Sequence, residues 1–334
     1  MQAARDMGII DYKGREINYA RISVTDRCNF RCLYCMPAQG VASCSHAAVM
    51  RYEEIMWLTQ ILVSLGIKRV RFTGGEPFAR RGMARFLVDF RRKFPDLSVS
   101  VTTNASLISK HVFEIKEARL NGLNISLDTL DPKKFFKITR TGNLSDVLEG
   151  INAGLDAGVR TIKTNTVLLK GFNNDELPRI LSFAWDKGIL PRIIEFMPLE
   201  EELWGKDRFI GSAEIFETMK EFGDWVPLTK DAGNIQHNVA GPAEYFTDVS
   251  SGRIFGIIAA VSKHFCTGCN RLRITATGKM RACLFNNEEI SLIDFIRSRD
   301  EEAVRRAILS GIDLKPENWR ECVDGFGRMS GIGG

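Results

Sequence analysis

From Ala20 to Pro198, short apolar runs rich in β-branched residues alternate with longer amphipathic stretches. The runs are Ala20 to Asp26, Arg69 to Gly75, Ser98 to Asn104, Gly122 to Asp128, Arg160 to Leu169 and Arg192 to Pro198. Such runs, bounded by polar turn residues, predict strands. Between them YEEIMWLTQILVSLG, MARFLVDFRRKF, SKHVFEIKEARLNG, LSDVLEGINAGLDAG and DELPRILSFAWDKG repeat apolar positions at helical spacing. Several close on a glycine, the residue that most readily ends a helix.

Six strand-helix units with short connections predict a parallel sheet, because a parallel crossover needs a helix between neighbouring strands. Six units are too few for a closed eight-stranded barrel. The expected fold is therefore α/β, a partial (β/α)6 TIM-like barrel, with a doubly wound sheet as the alternative. After Pro198 the alternation stops. Hairpins are predicted around SSGR in AEYFTDVSSGRIFGIIAAVS and around ATGK in RLRITATGKMRACLF, and ISLIDFIRSRDEEAVRRAILS reads as helical. The expected division is a barrel over 1–210 and a C-terminal α+β region over 211–334 that covers the open side and ends in a flexible glycine-rich tail.

Composition narrows the partners. With 44% hydrophobic and 26% charged residues in 334, the chain matches an ordinary soluble globular protein. The longest apolar run, IFGIIAAV, has eight residues, far short of the roughly 20 a membrane span needs. The first twenty residues include acids and no apolar core, so no secretory signal is expected and the cytoplasm is the default location. The net charge of +5 is scattered along the chain. No dense basic stripe marks a nucleic-acid partner, and discrete arginines suit a phosphorylated small molecule better.

Six of the eight cysteines form two groups of three: Cys28, Cys32 and Cys35 as C-x3-C-x2-C, and Cys266, Cys269 and Cys283 as C-x2-C-x13-C. In a reducing compartment these are ligands or buried thiols rather than disulfides. A structural zinc site wants four ligands. Three thiolates on an iron–sulfur cluster leave one iron open for a substrate or cofactor. For the second group a zinc knuckle completed by His264, Cys44 or Cys322 stays open. Cys44 and Cys322 otherwise read as ordinary thiols.

The first group follows the first predicted strand. TGGEP, TTN and SLD end the next three, Lys163 and Asn165 lie along the fifth, and EFM ends the sixth. The C-terminal strand edge is where parallel α/β folds bind ligands. In TGGEP, Gly74 and Gly75 let the backbone approach a ligand closely, and Glu76 can hold an ammonium group. No Walker A motif and no G-x-G-x-x-G after a strand occurs. A polyphosphate would then be held by side chains, for which the arginine fork suits best. Arg271 and Arg273 alternate on a strand and share a face. Arg192 is a further candidate, while Arg91 to Lys93 reads as an exposed helix end.

The segments RISVTDRCNFRCLYCMP, VRFTGGEPFARR, TTN, ISLD, EFMP, GPAEYF, FCTGCNRLRITATGKMRACLF and MSGIGG together resemble the radical S-adenosylmethionine (SAM) superfamily. Within it the chain resembles the GTP 3′,8-cyclase family of molybdenum cofactor biosynthesis. The first motif alone gives the superfamily. The second cysteine group, followed by RLR and by a C-terminal Gly-Gly, gives the narrower family.

The resemblance implies two 4Fe–4S clusters. One, on Cys28, Cys32 and Cys35, binds SAM and on reduction cleaves it to methionine and a 5′-deoxyadenosyl radical. The radical takes the 3′ hydrogen of GTP, and the sugar carbon attacks C8 of guanine to give 3′,8-cyclo-7,8-dihydro-GTP. The second cluster, on Cys266, Cys269 and Cys283, faces the guanine. Tyr34, Gly75, Ser126 and Met197 line the SAM site, with Glu76 at its amino group. Arg21, Arg71, Thr102, Lys163, Arg271 and Arg273 contact GTP, and the tail with Gly333 and Gly334 reaches into the active site. The resemblance also implies an external electron donor, a homodimer and a downstream cyclic pyranopterin monophosphate synthase as pathway neighbour. Two departures from the family pattern are Ala105, where glycine is common, and FARRG after TGGEP. The rivals are a peptide-modifying radical SAM enzyme with an auxiliary cluster, and a zinc- or cluster-stabilised binding module without catalysis.

Overall fold

The structure, a computed structural model, describes residues 8–40, 44–198, 205–228 and 241–322. Six strands, β1 (Tyr19–Ser23), β2 (Arg69–Thr73), β3 (Ser98–Thr103), β4 (Gly122–Ser126), β5 (Ile162–Leu168) and β6 (Leu190–Glu195), are parallel neighbours in chain order. The crossovers carry α1 (Tyr52–Ser64), α2 (Met83–Lys93), α3 (Val112–Ala118), α4 (Pro132–Thr139), α5 (Leu144–Asp156) and α6 (Leu177–Asp186). Beyond β6 come α7 (Ser212–Lys220), β7 (Trp225–Pro227), β8 (Glu244–Asp248) and β9 (Ile254–Ile258). The described chain then continues through β10 (Arg271–Ile274), β11 (Lys279–Arg281), β12 (Ile290–Ser291), α8 (Ile293–Ser298) and α9 (Glu301–Ile312).

These twelve strands form one sheet of order β12-β11-β10-β1-β2-β3-β4-β5-β6-β9-β8-β7, and the short strands Ile9–Ile10 and Glu16–Ile17 pair in a separate two-stranded sheet. The six-unit barrel is open, as expected, and the C-terminal hairpins extend both of its edges. Each join is parallel: β10 lies against β1 with Arg273 opposite Arg21, and β9 against β6 with Gly256 opposite Arg192.

Alternation along each strand sorts side chains between two environments. Ala20 and Ile22 on β1, Val70 and Phe72 on β2, and Val99 and Val101 on β3 are buried against the helix layer. There Phe72 meets Phe86 and Phe90 of α2 edge-on, with centroids 5.2 and 4.9 Å apart. The intervening residues, Tyr19, Arg21, Arg69, Arg71, Ser98 and Ser100, face the other way, into the lumen. The apolar set builds the core, and the polar set is left to build a site.

The pattern of the sequence underread three elements. In α4, Asp131 accepts from the Lys133 and Lys134 amides at 2.7 and 2.9 Å ahead of a proline at the first helical position. That is a helix-start signature present in the sequence. α7 and β7 also lie where the alternation was expected to have stopped. Arg91 is no exposed helix end: its guanidinium donates to the carbonyls of Ala118, Pro95 and Leu97 and to Asn121 Oδ1, locking α2 to the following loop.

Directly after β3, the fully buried Ala105 has φ 64°. A side chain in this left-handed region costs roughly 1–2 kcal/mol. Ala105→Gly is expected to stabilise the fold by about 1 kcal/mol, a rise of roughly 2 °C in Tm by calorimetry. A fall in Tm would show that the buried methyl packs more favourably than the backbone is strained.

Candidate active site

A cavity of about 990 Å³ occupies the lumen, within the size range of small-molecule sites. Strand register stacks its wall in layers. Arg271, Tyr19, Arg69 and Ser98 lie abreast near the strands' N-terminal ends. Arg273, Arg21, Arg71 and Ser100 form the next layer. Above them Thr102, Asn124 and Lys163 cross β3 to β5, and Asn165 pairs with Arg192. Neighbouring strands lie about 4.8 Å apart, so three guanidiniums start from adjacent positions in one row. With Arg160 and Lys315, the described residues of the lining include seven arginines and two lysines, and among them no aspartate or glutamate.

Like charges side by side on a sheet oppose one another, and burial penalises each charge further. Burial and then Arg273 push Arg21 well below its ordinary value. Burial and then Arg271 bring Arg273 to about 10. Lys163 falls to about 6, chiefly by burial and then through Arg192, Arg71 and Arg69. Its amino group donates to the Tyr245 hydroxyl at 3.4 Å, while Arg192 donates to Asn124 Oδ1. Tyr19 Oη, Thr102 Oγ1, Asn165 Oδ1 and Arg192 Nε are buried with no hydrogen-bond partner among the described residues. Buried polar atoms are nearly always paired. These orphans, set among buried cations, fit a polar polyanion.

The first cysteine group lies above the C-terminal edge of β1. Beyond the strand, the chain stays beside the end of β2: the amides of Val24, Gly75 and Glu76 donate to the carbonyls of Thr73, Thr25 and Arg27 at 2.9, 2.8 and 2.8 Å. A Cβ on Gly74 would sit 2.3 Å from the Thr25 oxygen, and one on Gly75 2.2 Å from the Arg27 oxygen. The close approach these glycines permit is therefore to the cysteine loop itself. Glu76 ties the same loop to β3, accepting from Phe78 N (3.0 Å), Thr103 Oγ1 (2.8 Å) and Asn104 N (2.7 Å). Burial raises its carboxyl to about 7, and its oxygens retain lone pairs for a further donor.

Around the thiols, the Phe30 amide donates to Cys28 Sγ at 3.4 Å and Asn104 Nδ2 approaches it at 4.0 Å. Cys32 and Cys35 are joined by a turn, with Cys35 N donating to Cys32 O at 2.9 Å. Tyr34 Oη donates to Asp128 Oδ2 at 2.6 Å, and burial raises Asp128 to about 6. Ser126 ends β4 opposite Asn165.

The second group is at the other mouth. Cys266 and Cys269 precede β10 and Cys283 follows β11, beside the start of β1, where Asn18 and Tyr19 both donate their amides to Asn270 O at 3.2 Å. The four residue steps of β1, about 13 Å of strand, run between the two levels. Arg271 approaches Cys269 Sγ at 3.6 Å. Burial opposes ionisation of Cys269, but Arg271 and Lys315 outweigh it and bring the thiol to about 6. Lys315 is itself pinned by the carbonyls of Arg271 (2.6 Å) and Ala282 (2.7 Å). Phe285 stacks on Trp319 at 4.6 Å, and Met197, expected on the SAM side, packs against that pair.

Cys44 is remote from this group, its amide donating to Asp26 Oδ2. His264 Nε2 faces Asn318 Nδ2 at 3.2 Å. Among the described residues no group of three His, Cys, Asp or Glu is arranged for a single metal ion. Both triplets instead pair clustered thiols with amide, guanidinium or ammonium donors, the setting in which thiolates hold an iron–sulfur cluster. Gly333 and Gly334 lie outside the described residues. Arg69, Arg160, Tyr245 and Lys315 were not expected in the site. Arg69 was within reach, since it stands two residues before Arg71 on one strand and so shares its face.

Comparison with known proteins agrees with this arrangement. A radical SAM superfamily model matches residues 22–184 and a molybdenum cofactor synthesis C model matches 190–321. Streptococcus suis SuiB bound to the precursor peptide SuiA shares the fold with TM-score 0.61 at 14% identity, over 90% of this chain and 71% of its own. The fold and the two cysteine groups define a radical SAM enzyme. The GTP 3′,8-cyclase of Thermodesulfovibrio yellowstonii is 39% identical over 97% of this chain and 99% of its own. That of Petrotoga mobilis is 40% identical over 98% and 100%, and that of Listeria monocytogenes 41% over 92% and 91%. The chain belongs to the GTP 3′,8-cyclase family.

Two outcomes test this geometry. Gly75→Ala is expected to displace Arg27 and Cys28, so that anaerobically reconstituted protein loses about half its iron while the second group keeps its cluster; full iron content would refute the packing role. Because the Lys163 value is depressed, the ligand-free fold loses stability as pH falls from the ordinary lysine range of 10.5 toward about 6. A bound triphosphate restores the charge. Nucleotide binding at pH 7.5 should therefore take up about one proton, seen calorimetrically as a dependence on buffer ionisation enthalpy that Lys163→Met abolishes.

Proposed function

We propose that the lumen holds GTP between the two cysteine groups, with its triphosphate on the row formed by Arg273, Arg21 and Arg71, joined by Arg271, Thr102 and Lys163. The carrying observation is the wall of nine basic and, among the described residues, no acidic side chains. Arginine forks suit phosphate oxygens, and no phosphate-binding backbone loop competes for the role. Arg69 and Arg192 extend the same set. The guanine points to Cys266, Cys269 and Cys283, and the ribose to the opposite mouth.

There Cys28, Cys32 and Cys35 hold a 4Fe–4S cluster and its SAM, with Tyr34, Gly75, Glu76 and Ser126 around the ligand, while Met197 packs beside the second group. When bound, the cluster and SAM supply a 5′-deoxyadenosyl radical able to remove a hydrogen atom from the ribose. The chain's own work is positioning. Arginines fixed by sheet register hold the phosphates, so that C3′ and C8 are presented in a fixed relation. The buried lumen limits water around the reacting carbon. The product is 3′,8-cyclo-7,8-dihydro-GTP, formed in the first step of molybdenum cofactor biosynthesis.

An external one-electron donor, a homodimer, a cytoplasmic location and passage of product to a cyclic pyranopterin monophosphate synthase belong to the same reading. Among the described residues no helix is long and apolar enough to cross a membrane.

Anaerobically reconstituted protein given SAM, dithionite and GTP is expected to form 5′-deoxyadenosine and the cyclised nucleotide together. SAM cleavage that never couples to GTP would reject the proposal. Arg71→Ala, removing one charged hydrogen-bonding partner, should raise KM for GTP roughly 10- to 100-fold while leaving cluster content unchanged.

A further inference from the structure

Cys322, one of the residues the spacing left open as a fourth member of the second group, lies beside that group. The segment from Lys315 to Cys322 is clamped across the second cysteine group. Arg15, in a buried ion pair with Asp11 at 2.6 Å, donates to the carbonyls of Lys315 (2.9 Å), Pro316 (2.8 Å) and Cys266 (3.1 Å). Arg320 donates to Val261 O at 3.0 Å. Cys322 N closes a turn on Trp319 O at 3.0 Å. Held in this way, Cys322 packs with Cys266 and Cys283 around the Phe285–Trp319 stack, its thiol beside that of Cys283. The Trp319 amide likewise serves Cys266, and Arg271 serves Cys269.

Two roles are open to a fourth sulfur here. A ligand for the open iron would have to face the chamber. Among the described residues Cys266, Cys269 and Cys283 line the cavity and Cys322 does not, so its thiol is set back from the chamber. That placement suits a donor to a ligand sulfur. Hydrogen bonds to ligating sulfurs stabilise the more electron-rich, reduced cluster and so raise its potential.

We propose that Cys322 is a positioning residue of the second cluster: its S–H donates to Cys283 Sγ, holds that ligand in place and raises the cluster's reduction potential. This rests on the reading that the second triplet carries a 4Fe–4S cluster. That footing has its own test, because wild-type protein with iron for only one cluster would remove it whatever Cys322 does.

The experiment is a redox titration followed by electron paramagnetic resonance, without nucleotide, on the reconstituted full-length chain. A background of Cys28→Ser, Cys32→Ser and Cys35→Ser isolates the second cluster's signal. Cys322→Ala is expected to keep the cluster iron and shift the midpoint potential downward, and Cys322→Ser, which retains an O–H donor, to recover part of the shift. An unchanged potential in Cys322→Ala would overturn the proposal. So would loss of the cluster's iron in both variants, which would make Cys322 a ligand or a purely structural thiol.

Discussion

Repulsion among buried cations that the sheet holds in register is the constraint on which the rest of the site depends. Arg273, Arg21 and Arg71 are opposite one another on three adjacent strands, and among the described residues the lining holds no carboxylate to offset them. A protein with no use for this arrangement would lose it, since like charges opposed on a sheet are destabilising. The apolar outer faces of the same strands, packed under α1 and α2, keep the register in place against that repulsion. Stability lies on one face of each strand and binding on the other. The depressed values of Arg21, Arg273 and Lys163 are the same repulsion seen as proton affinity.

The open barrel matters because its edges are where the second half of the site attaches. β10 adds to β1 and brings Arg271, Arg273 and two cysteines; β9 adds to β6, from which Arg192 reaches inward. Parallel addition of β10 also sets polarity. Cysteines that precede β10 must lie at the mouth opposite cysteines that follow β1. The two incomplete triplets therefore stand at opposite levels of the barrel wall, with the basic layers between. A nucleotide spanning the lumen meets a different end at each.

Much of this was legible in the residues. The β-branched runs located all six barrel strands, and alternation placed Arg271 and Arg273 on one face. The cysteine spacings pointed to clusters, and the motifs as a set to the family. What stayed hidden depends on contacts distant in sequence. Nothing local to Arg271 says that its strand pairs with Tyr19, so the mouth occupied by the second triplet could not be read. The steric partner of Gly75 is the Arg27 carbonyl, visible only once two loops are folded together. Lys315 and Cys322 carry no motif and owe their positions to the Arg15 clamp. The start of α4, by contrast, was written in Asp131 and Pro132.

If the cationic rows exist to hold a triphosphate, affinity must follow the phosphates. Calorimetric titration of the reconstituted protein with GTP and with guanosine is the most direct measurement. GTP should bind at least roughly 100-fold more tightly, the equivalent of one or two charged hydrogen bonds, with a preference that weakens as salt is raised. Equal affinity for the two would contradict the account.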